Sequence, residues 1–315
     1  MDKLFCAMIN TVLFVILQTT MFWNLENFFD CFADSTGYDA VWTPKGERHW
    51  TYKRFKKKCS DIAKGILWCA GNCSGLPDVI GFAEVENRFV LKCLLKYTIL
   101  EKLDYQIVHF DSPDRRGIDV ALMYRKSRLK LLQARPVPVT AAHGGDTLRT
   151  RDILVADFVS VHDPPDSFTV AVNHHPSKFG GGDSDWRRQA ALDALADALP
   201  KPSAHRTVVA CGDFNDVADA QVYADFCART GLVSLAAPLA RQGLGTIRYE
   251  GRWELIDHIY INREASARMK ILKIPFLMTR DNTHAGEKPL RTYVGPRYAG
   301  GVSDHLPVLL QMGKE

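Results

Sequence analysis

The apolar stretches of this chain repeatedly end on residues that cannot stay buried without a partner. Asn24 and Glu26 follow Thr20-Met21-Phe22-Trp23, Glu84 and Glu86 follow Val79-Ile80-Gly81-Phe82-Ala83, and His174 and His175 follow Val170-Ala171-Val172. Asp213 and Asn215 follow Val208-Val209-Ala210-Cys211-Gly212. Asp257 and His258 separate Leu255-Ile256 from Ile259-Tyr260-Ile261, and Asp304-His305 precedes Leu306-Pro307-Val308-Leu309-Leu310. A carboxylate inside or beside an apolar strand is costly unless it is paired or bound to metal. A fold that accepts this pattern brings those strand ends together in one cleft.

Apolar alternation and β-branched runs predict strands at about 19–25, 78–84, 105–110, 118–124, 129–137, 153–161, 168–174, 207–211, 254–261, 269–276 and 307–311. The spacing of Phe55, Cys59, Ile62, Ile66 and Ala70 predicts a helix. Others follow Asn87, run from Trp186 to Leu199 behind an Asp183 or Ser184 cap, and cover 219–229. There is no internal repeat, low-complexity tract or long linker. The 315 residues, 46% hydrophobic, 24% charged and 10% aromatic, supply a sizeable core and exclude disorder, collagen and coiled coil. Many strands with helices interspersed singly give an α+β fold, a single domain over 18–315 of packed sheets covered by helices.

Leu4 to Leu17 is apolar apart from Asn10 and Thr11, shorter than the ~20 residues of a bilayer span. Residues 1–17 therefore read as a secretory signal peptide, implying export to a periplasmic or extracellular space. Asp2 cancels Lys3 and no small-x-small cleavage site precedes Gln18, so a buried strand or helix, and a cytoplasmic location, stay open. Beyond Cys6, an odd number of cysteines remains (Cys31, Cys59, Cys69, Cys73, Cys93, Cys211 and Cys227), without the paired short spacing of a zinc site. They read as small buried hydrophobes with room for one disulfide. A net charge of +4 permits a polyanionic partner without demanding one. The run Lys53, Arg54, Lys56, Lys57, Lys58 reads first as a solvated helix face and second as a phosphate contact.

Glu and Asp oxygens with an Asn carbonyl suit a hard cation such as Mg²⁺, and Mg²⁺ points to phosphate. A histidine flanked by an aspartate gives an oriented imidazole, and an Asp-x-Asn pair can hold a water in line with phosphorus. The order of these pieces is specific. Trp23-Asn24-Leu25-Glu26-Asn27, Glu84-Val85-Glu86-Asn87, Arg116-Gly117-Ile118-Asp119-Val120-Ala121, Asn173-His174-His175-Pro176-Ser177, Gly212-Asp213-Phe214-Asn215, Ile256-Asp257-His258 and Ser303-Asp304-His305-Leu306-Pro307 resemble the endonuclease/exonuclease/phosphatase superfamily, in its exported bacterial type. The resemblance runs from about Thr20 to Leu310. It implies a four-layer α/β/β/α sandwich, two packed mixed β-sheets flanked by helices.

The resemblance also implies a Mg²⁺-dependent phosphoesterase, with Mn²⁺ as a substitute, whose metal shell is Asn24, Glu84 and Asp304. His305 is then the catalytic imidazole, oriented by Asp257. Asp213 and Asn215 position the attacking water and the phosphoryl oxygens, and His174 donates to a nonbridging oxygen. Either Asp213 or His305 takes the water's proton. Asp119 supports His174 and Arg116 meets substrate phosphate, or the two make a surface salt bridge. Glu26 and Glu86 back the site or lie exposed. Simple alternation turns His258 away from Asp257, and Arg188 is read as packing rather than as part of the cleft.

Ala83 precedes Glu84 where abasic-site endonucleases carry Gln, and Gly212-Asp213-Phe214-Asn215-Asp216 departs from the Gly-Asp-Leu-Asn-Tyr-Arg of inositol-polyphosphate 5-phosphatases. Tyr249, Trp253, Arg291 and Tyr293 are candidates for the cleft rim, able to stack a base or clamp a phosphate, with loop packing an equal reading. The leading expectation is a nuclease acting on phosphodiesters. The alternative is a phosphatase or phospholipase C-like, sphingomyelinase-type enzyme, and the last is an inactive binding protein. The expected partner is a phosphoester substrate, nucleic acid first; no stable membrane span or protein partner is expected, and the chain reads as a monomer.

Overall fold

The computed structural model describes residues 18–313 apart from 34–38, 74, 144, 163–164, 178–184, 202, 204–205 and 263–266. The expected signal segment 1–17 and the Asp183 or Ser184 cap lie outside the described residues. The principal strands are β1 (Gln18–Phe28), β2 (Val79–Val85), β3 (Tyr105–His109), β4 (Asp119–Arg125), β5 (Leu129–Val137), β6 (Ile153–Ser160), β7 (Ser167–His174), β8 (Arg206–Asp213), β9 (Val233–Ser234), β10 (Asp257–Ile261), β11 (Ala267–Ile271) and β12 (Val308–Met312). They form two six-stranded sheets, β11-β12-β1-β2-β4-β3 and β9-β10-β8-β7-β6-β5. Each is mixed, with a parallel pair near its middle, β1 with β2 and β7 with β8.

The sheets pack face to face through Phe22, Ala83, Val120 and Leu122 on one side and Val170, Val172, Val209 and Cys211 on the other. Neighbours in sequence point the opposite way. Trp23, Phe82 and Ala121 meet α1 (Tyr52–Asn72) and α2 (Arg88–Lys96) through Phe55, Ile62, Ile66, Val90 and Leu94. Ala171, Val208 and Ala210 meet α3 (Asp185–Ala198) and α4 (Gln221–Thr230) through Leu192, Leu195, Tyr223 and Phe226. Central strands covered on both faces must be apolar throughout, which is why they read as unbroken runs. The result is the expected α/β/β/α sandwich.

Helix boundaries follow local chemistry. Thr51 caps α1 by accepting from the Arg54 N–H, and Asn87 caps α2 by accepting from Val90 at 3.0 Å. Gly231 closes α4 at φ 71°, a left-handed conformation that suits glycine.

Three expectations need correction. The strand predicted over 269–276 ends at Ile271, because Pro275 opens a 3-10 turn over Pro275–Leu277. The strand predicted over 254–261 starts at Asp257, because the Leu255 and Ile256 carbonyls accept from Ala218 and Phe214 instead of a neighbouring strand. Lys58 is no part of a solvated face: it is 2% exposed, and its Nζ donates to the Glu26 carbonyl at 2.6 Å and to Thr292 Oγ1 at 2.8 Å. The described cysteines are all free, and Cys31, Cys59, Cys69, Cys93 and Cys211 are buried. Among the described residues no helix is long and apolar enough to cross a membrane.

Gly212 is fixed by sterics. A Cβ there would lie 2.3 Å from the Asn173 carbonyl oxygen on β7, so only glycine lets β8 approach closely enough to carry Asp213. Gly212→Ala is expected to cost ~1–3 kcal/mol in denaturant unfolding. An unchanged midpoint would contradict this account of the strand contact.

Candidate active site

The ends of β7, β8 and β10 set the core of the cleft. His174 is in register with Asp213 across the parallel pair, and Asp213 is opposite Asp257 across the antiparallel pair. Residues directly opposite share a face, so three polar side chains stand in a row. His258, one residue on, points the other way, as alternation predicts. Its ring stacks on Phe214 at 4.8 Å, its Nε2 donates to the Asp216 carbonyl at 2.9 Å, and its Nδ1 accepts from Tyr260 Oη at 2.9 Å.

His305 reaches the row from the segment before β12. Its Nδ1 donates to Asp257 Oδ2 at 2.8 Å, and its Nε2 stands 3.8 Å from Asp213 Oδ2. The backbone is pinned three ways: Trp23 Nε1 donates to the His305 carbonyl, the His305 N–H donates to Ser303 Oγ, and Ser303 Oγ donates to the Asn24 carbonyl. Asp213 accepts from Asn24 Nδ2 at 3.0 Å and from the Asn215 N–H at 2.9 Å, while His174 Nε2 lies 3.6 Å from its Oδ2. The Asn215 side chain donates to the His175 carbonyl at 2.8 Å. The first sheet thus supplies Asn24 and the second Asp213, joined by one hydrogen bond.

Electrostatics separate these groups. Burial opposes charging His305, but the Asp257 and Asp213 carboxylates outweigh it and hold the imidazole well above the ordinary histidine range. Burial, reinforced by Asp257, pushes Asp213 up to about 7, with His305 pulling the other way. Burial, together with Arg151 and Arg116, holds His174 well below 6.5, so it is neutral.

The acidic side of the cleft lies where β1 and β2 lose register. The β1–β2 pairing shifts between Asn24 and Phe28, and the β2–β4 pairing shifts between Ala83 and Val85. Glu26, Asn27 and Glu84 there adopt φ of 46°, 55° and 60°, and Asn215 across the cleft 52°. Such bulges re-aim side chains, and strained backbone concentrates at functional sites. Glu84 Oε2 accepts from the Asn27 N–H at 2.7 Å, and its Oε1 lies 3.2 Å from Arg116. Arg291 bridges Glu26 at 2.8 Å and Asp304 at 3.1 Å. Burial, then the Asp304 charge, pushes Glu26 up to about 7, and burial pushes Lys58 down to about 8 against the pull of Glu26, Glu84 and Asp304.

Asn24, His174, Asp213, Asn215, Asp257 and His305 are thus linked in one cluster, with Glu84, Arg116 and Asp304 on its acidic side. Several secondary expectations change. Asp119 does not reach His174; it pairs with His109 Nε2 at 3.1 Å and with Ser112. Arg116 meets Glu84 and Asn27 Oδ1. Glu26 and Glu86 are buried, Glu86 accepting from the Asp30 N–H. Tyr293 is not at the rim: it is 5% exposed, packed among Trp42, Trp50 and Tyr298. Trp253 sits under the Arg248 and Lys273 cations, and Tyr249 is exposed. Arg188 is buried and pairs with Asp185 and Asp216. Sequence reading missed Lys58, and it missed Arg151, which donates to the His175 carbonyl and pairs with Asp114 at 2.9 Å. Neither carries a local signal, since both depend on contacts distant in sequence.

This is the cleft of a phosphoester hydrolase on a two-sheet sandwich. The sequence matches the Endonuclease/Exonuclease/phosphatase family over residues 19–314, and the chain belongs to that family. No curated protein matches it in sequence. Among solved structures it is similar to ANGEL2, a 2′,3′-cyclic phosphatase, with 16% identity over 95% of this chain and 96% of that one and a TM-score of 0.61. It is also similar to an endonuclease/exonuclease/phosphatase family protein from Bacteroides thetaiotaomicron, with 15% identity, 96% and 99% coverage and a TM-score of 0.59. A third is D. rerio TDP2 complexed with single strand DNA product, with 14% identity, 95% and 100% coverage and a TM-score of 0.57.

Enzymes of the family depend on a divalent metal, and the cleft has an acidic cluster close enough to hold an ion. The expected shell of Glu84, Asp304 and Asn24 offers oxygen atoms, the chemistry of a hard cation; here Asn24 Oδ1 accepts from the Glu26 N–H at 2.9 Å, the Glu84 oxygens meet Asn27 and Arg116, and Asp304 pairs with Arg291. Asp213, Asp257 and His305 also cluster closely enough to hold an ion, but His305 Nδ1 is already committed to Asp257.

His258 gives the fold a pH signature. Burial lowers it from 6.5 to about 4, so between those values the unfolded chain binds the extra proton and stability falls as pH drops. Fully developed, the effect is about 3 kcal/mol. Wild-type stability measured relative to His258→Gln is expected to decline from pH 6.5 toward pH 4. A difference that stays flat with pH would refute the neutral buried imidazole.

Proposed function

We propose that this protein is a Mg²⁺-dependent phosphodiesterase, a nuclease, that hydrolyses its substrate by in-line attack of a positioned water. The observation that carries the reading is the pairing of a cationic imidazole with a carboxylate of raised proton affinity across one cleft. His305, held protonated by Asp257, faces Asp213, which sits near neutrality in its proton affinity. Asp213 can accept a proton from water at neutral pH, and His305 can neutralise charge that develops on the phosphoryl oxygens.

The Asn215 N–H and Asn24 Nδ2 fix the Asp213 carboxylate, so its free lone pairs have one orientation. His174, neutral and beside Asp213, donates its Nε2 proton to a nonbridging oxygen. Asn24, Glu84 and Asp304 would hold the Mg²⁺, which supplies Lewis-acid polarisation of the phosphoryl oxygens. Arg116, 36% exposed beside Glu84, would meet an entering phosphate. The basic surplus of +4 favours a polyanionic substrate, and the similar TDP2 fold is solved with single strand DNA product.

A phosphatase is the second reading, favoured by the number of cations around one small centre: Arg116, Arg151 and Arg291. The test is nicking of supercoiled plasmid with added Mg²⁺, with and without excess EDTA. Asp213→Ala and His305→Ala, each assayed as folded protein, are expected to lower turnover by ~10²–10⁴. Near-wild-type nicking in both would remove this mechanism. Absence of nicking by folded wild-type protein, with hydrolysis of a phosphomonoester, would favour the phosphatase.

A further inference from the structure

Beside the catalytic cleft lies a pocket of about 190 Å³, lined by Arg115, Thr147, Leu148, Arg149, Trp186 and Arg187. Among the described residues, no carboxylate lines it. Asp114, beside Arg115, is committed to Arg151, and Asp185, beside Trp186, to Arg188. Among the described residues, none of the three pocket arginines has an ion-pair partner. Arg187 Nε is buried without a hydrogen-bond acceptor, although its guanidinium is steadied 5.4 Å over the Trp186 ring. A buried donor in a native structure needs an acceptor, and three unpaired guanidiniums in a concave site are matched by a phosphate. The volume is below the ~300–1,000 Å³ of small-molecule sites, which suits one phosphate group rather than a whole nucleotide.

Position ties the pocket to the reaction. Arg115 adjoins Arg116, whose guanidinium is on Glu84, and Arg149 is two residues from Arg151, which contacts the His175 carbonyl. Two residues of chain span at most ~7 Å. The three arginines come from three separate segments: the loop before β4, the loop before β6 and the start of α3. Convergence from distant segments builds a site, whereas a charge run along one helix does not.

We propose that Arg115, Arg149 and Arg187 form a second anion subsite, which takes a non-scissile phosphate of a nucleic-acid strand while a neighbouring phosphodiester occupies the catalytic centre. This rests on the phosphodiesterase reading and narrows it to polynucleotide substrates. The subsite tethers the strand without touching the reacting atoms. It contributes to substrate binding and not to the chemical step.

The test separates the two claims. Binding of a fluorescent single-stranded oligonucleotide is measured in EDTA, across a salt series, for wild-type protein and Arg149→Ala/Arg187→Ala. Arg268→Ala/Lys270→Ala, exposed on β11, removes the same charge elsewhere. The pocket variant is expected to bind about tenfold more weakly. Its plot of log affinity against log salt should be shallower by about 0.7, one single-strand phosphate, with the control unchanged. With Mg²⁺ it should raise KM for the oligonucleotide, hold kcat, and leave turnover of bis(p-nitrophenyl) phosphate unaltered.

Equal binding by both variants, no binding by wild type, or an equal loss on the small diester would overturn the subsite. A pocket-specific binding loss in a protein that hydrolyses no phosphodiester would retain the subsite and remove the phosphodiesterase reading instead.

Discussion

The structure turns on burying Asp213 at the seam between two sheets. Its side chain is almost inaccessible, and it is approached by Asn24 from one sheet and by His174 and Asp257 from the other. An isolated buried carboxylate would take up a proton or draw in water. Here the cost is met by two hydrogen bonds to the carboxylate and by a cation held a few ångströms away. That cation is itself made possible by Asp257, which bonds the far side of the His305 ring. The two acids and one imidazole must be formed together, because removing any one leaves another buried charge without its partner. The hydrogen bond from Asn24 makes the same arrangement depend on correct packing of the sheets.

Backbone irregularity is the second half of that design. A regular β1–β2 ladder would point successive side chains to opposite faces and bury alternate acids in the core. Register shifts after Asn24 and at Glu84, with left-handed backbone at Glu26, Asn27 and Glu84, interrupt the ladder before it resumes at Phe28 and Val85, and so break strict alternation at these acids. Gly212 performs the complementary task across the cleft by allowing the β7 backbone to lie against β8. The apolar layers behind these strands, Phe22 and Val172 within the sandwich and Trp23 and Phe82 outside, make such distortions sustainable.

The sandwich and its polar floor were legible because both are written in short-range pattern. Apolar runs announced the doubly covered strands, and each run's abrupt polar end located Asn24, Glu84, His174, Asp213 and Asp257. His258 was excluded by simple alternation, which the stacking on Phe214 bears out. What could not be read is what depends on distant chain. Lys58 looks like one more surface cation in a basic run, yet Thr292 and the Glu26 carbonyl enclose it. Tyr293 sits among glycines and arginines, yet Trp42 and Trp50 bury it. The Arg291–Glu26 pair joins residues more than two hundred positions apart. Alternation cannot foresee a bulge either, so the local pattern gave Glu26 no definite side.

The charges of the cleft fall into a fixed half and an adaptable half. Asp257 and His305 are buried on both sides of their bond, with side-chain exposures of 1% and 9%, and breaking such a pair by removing one partner costs ~3–5 kcal/mol. Arg116 and Arg291 are 36% and 49% exposed, so water screens their pairs with the more buried Glu84 and Glu26. A guanidinium held that weakly can exchange a carboxylate for a phosphate oxygen at little cost, whereas the imidazole cannot leave its aspartate. The groups that would meet an entering anion are thus the more exposed ones, and the groups that would meet the reacting atoms are buried. Affinity and chemistry can then be altered separately on this scaffold, by changing exposed arginines around an unaltered His305–Asp257–Asp213 core.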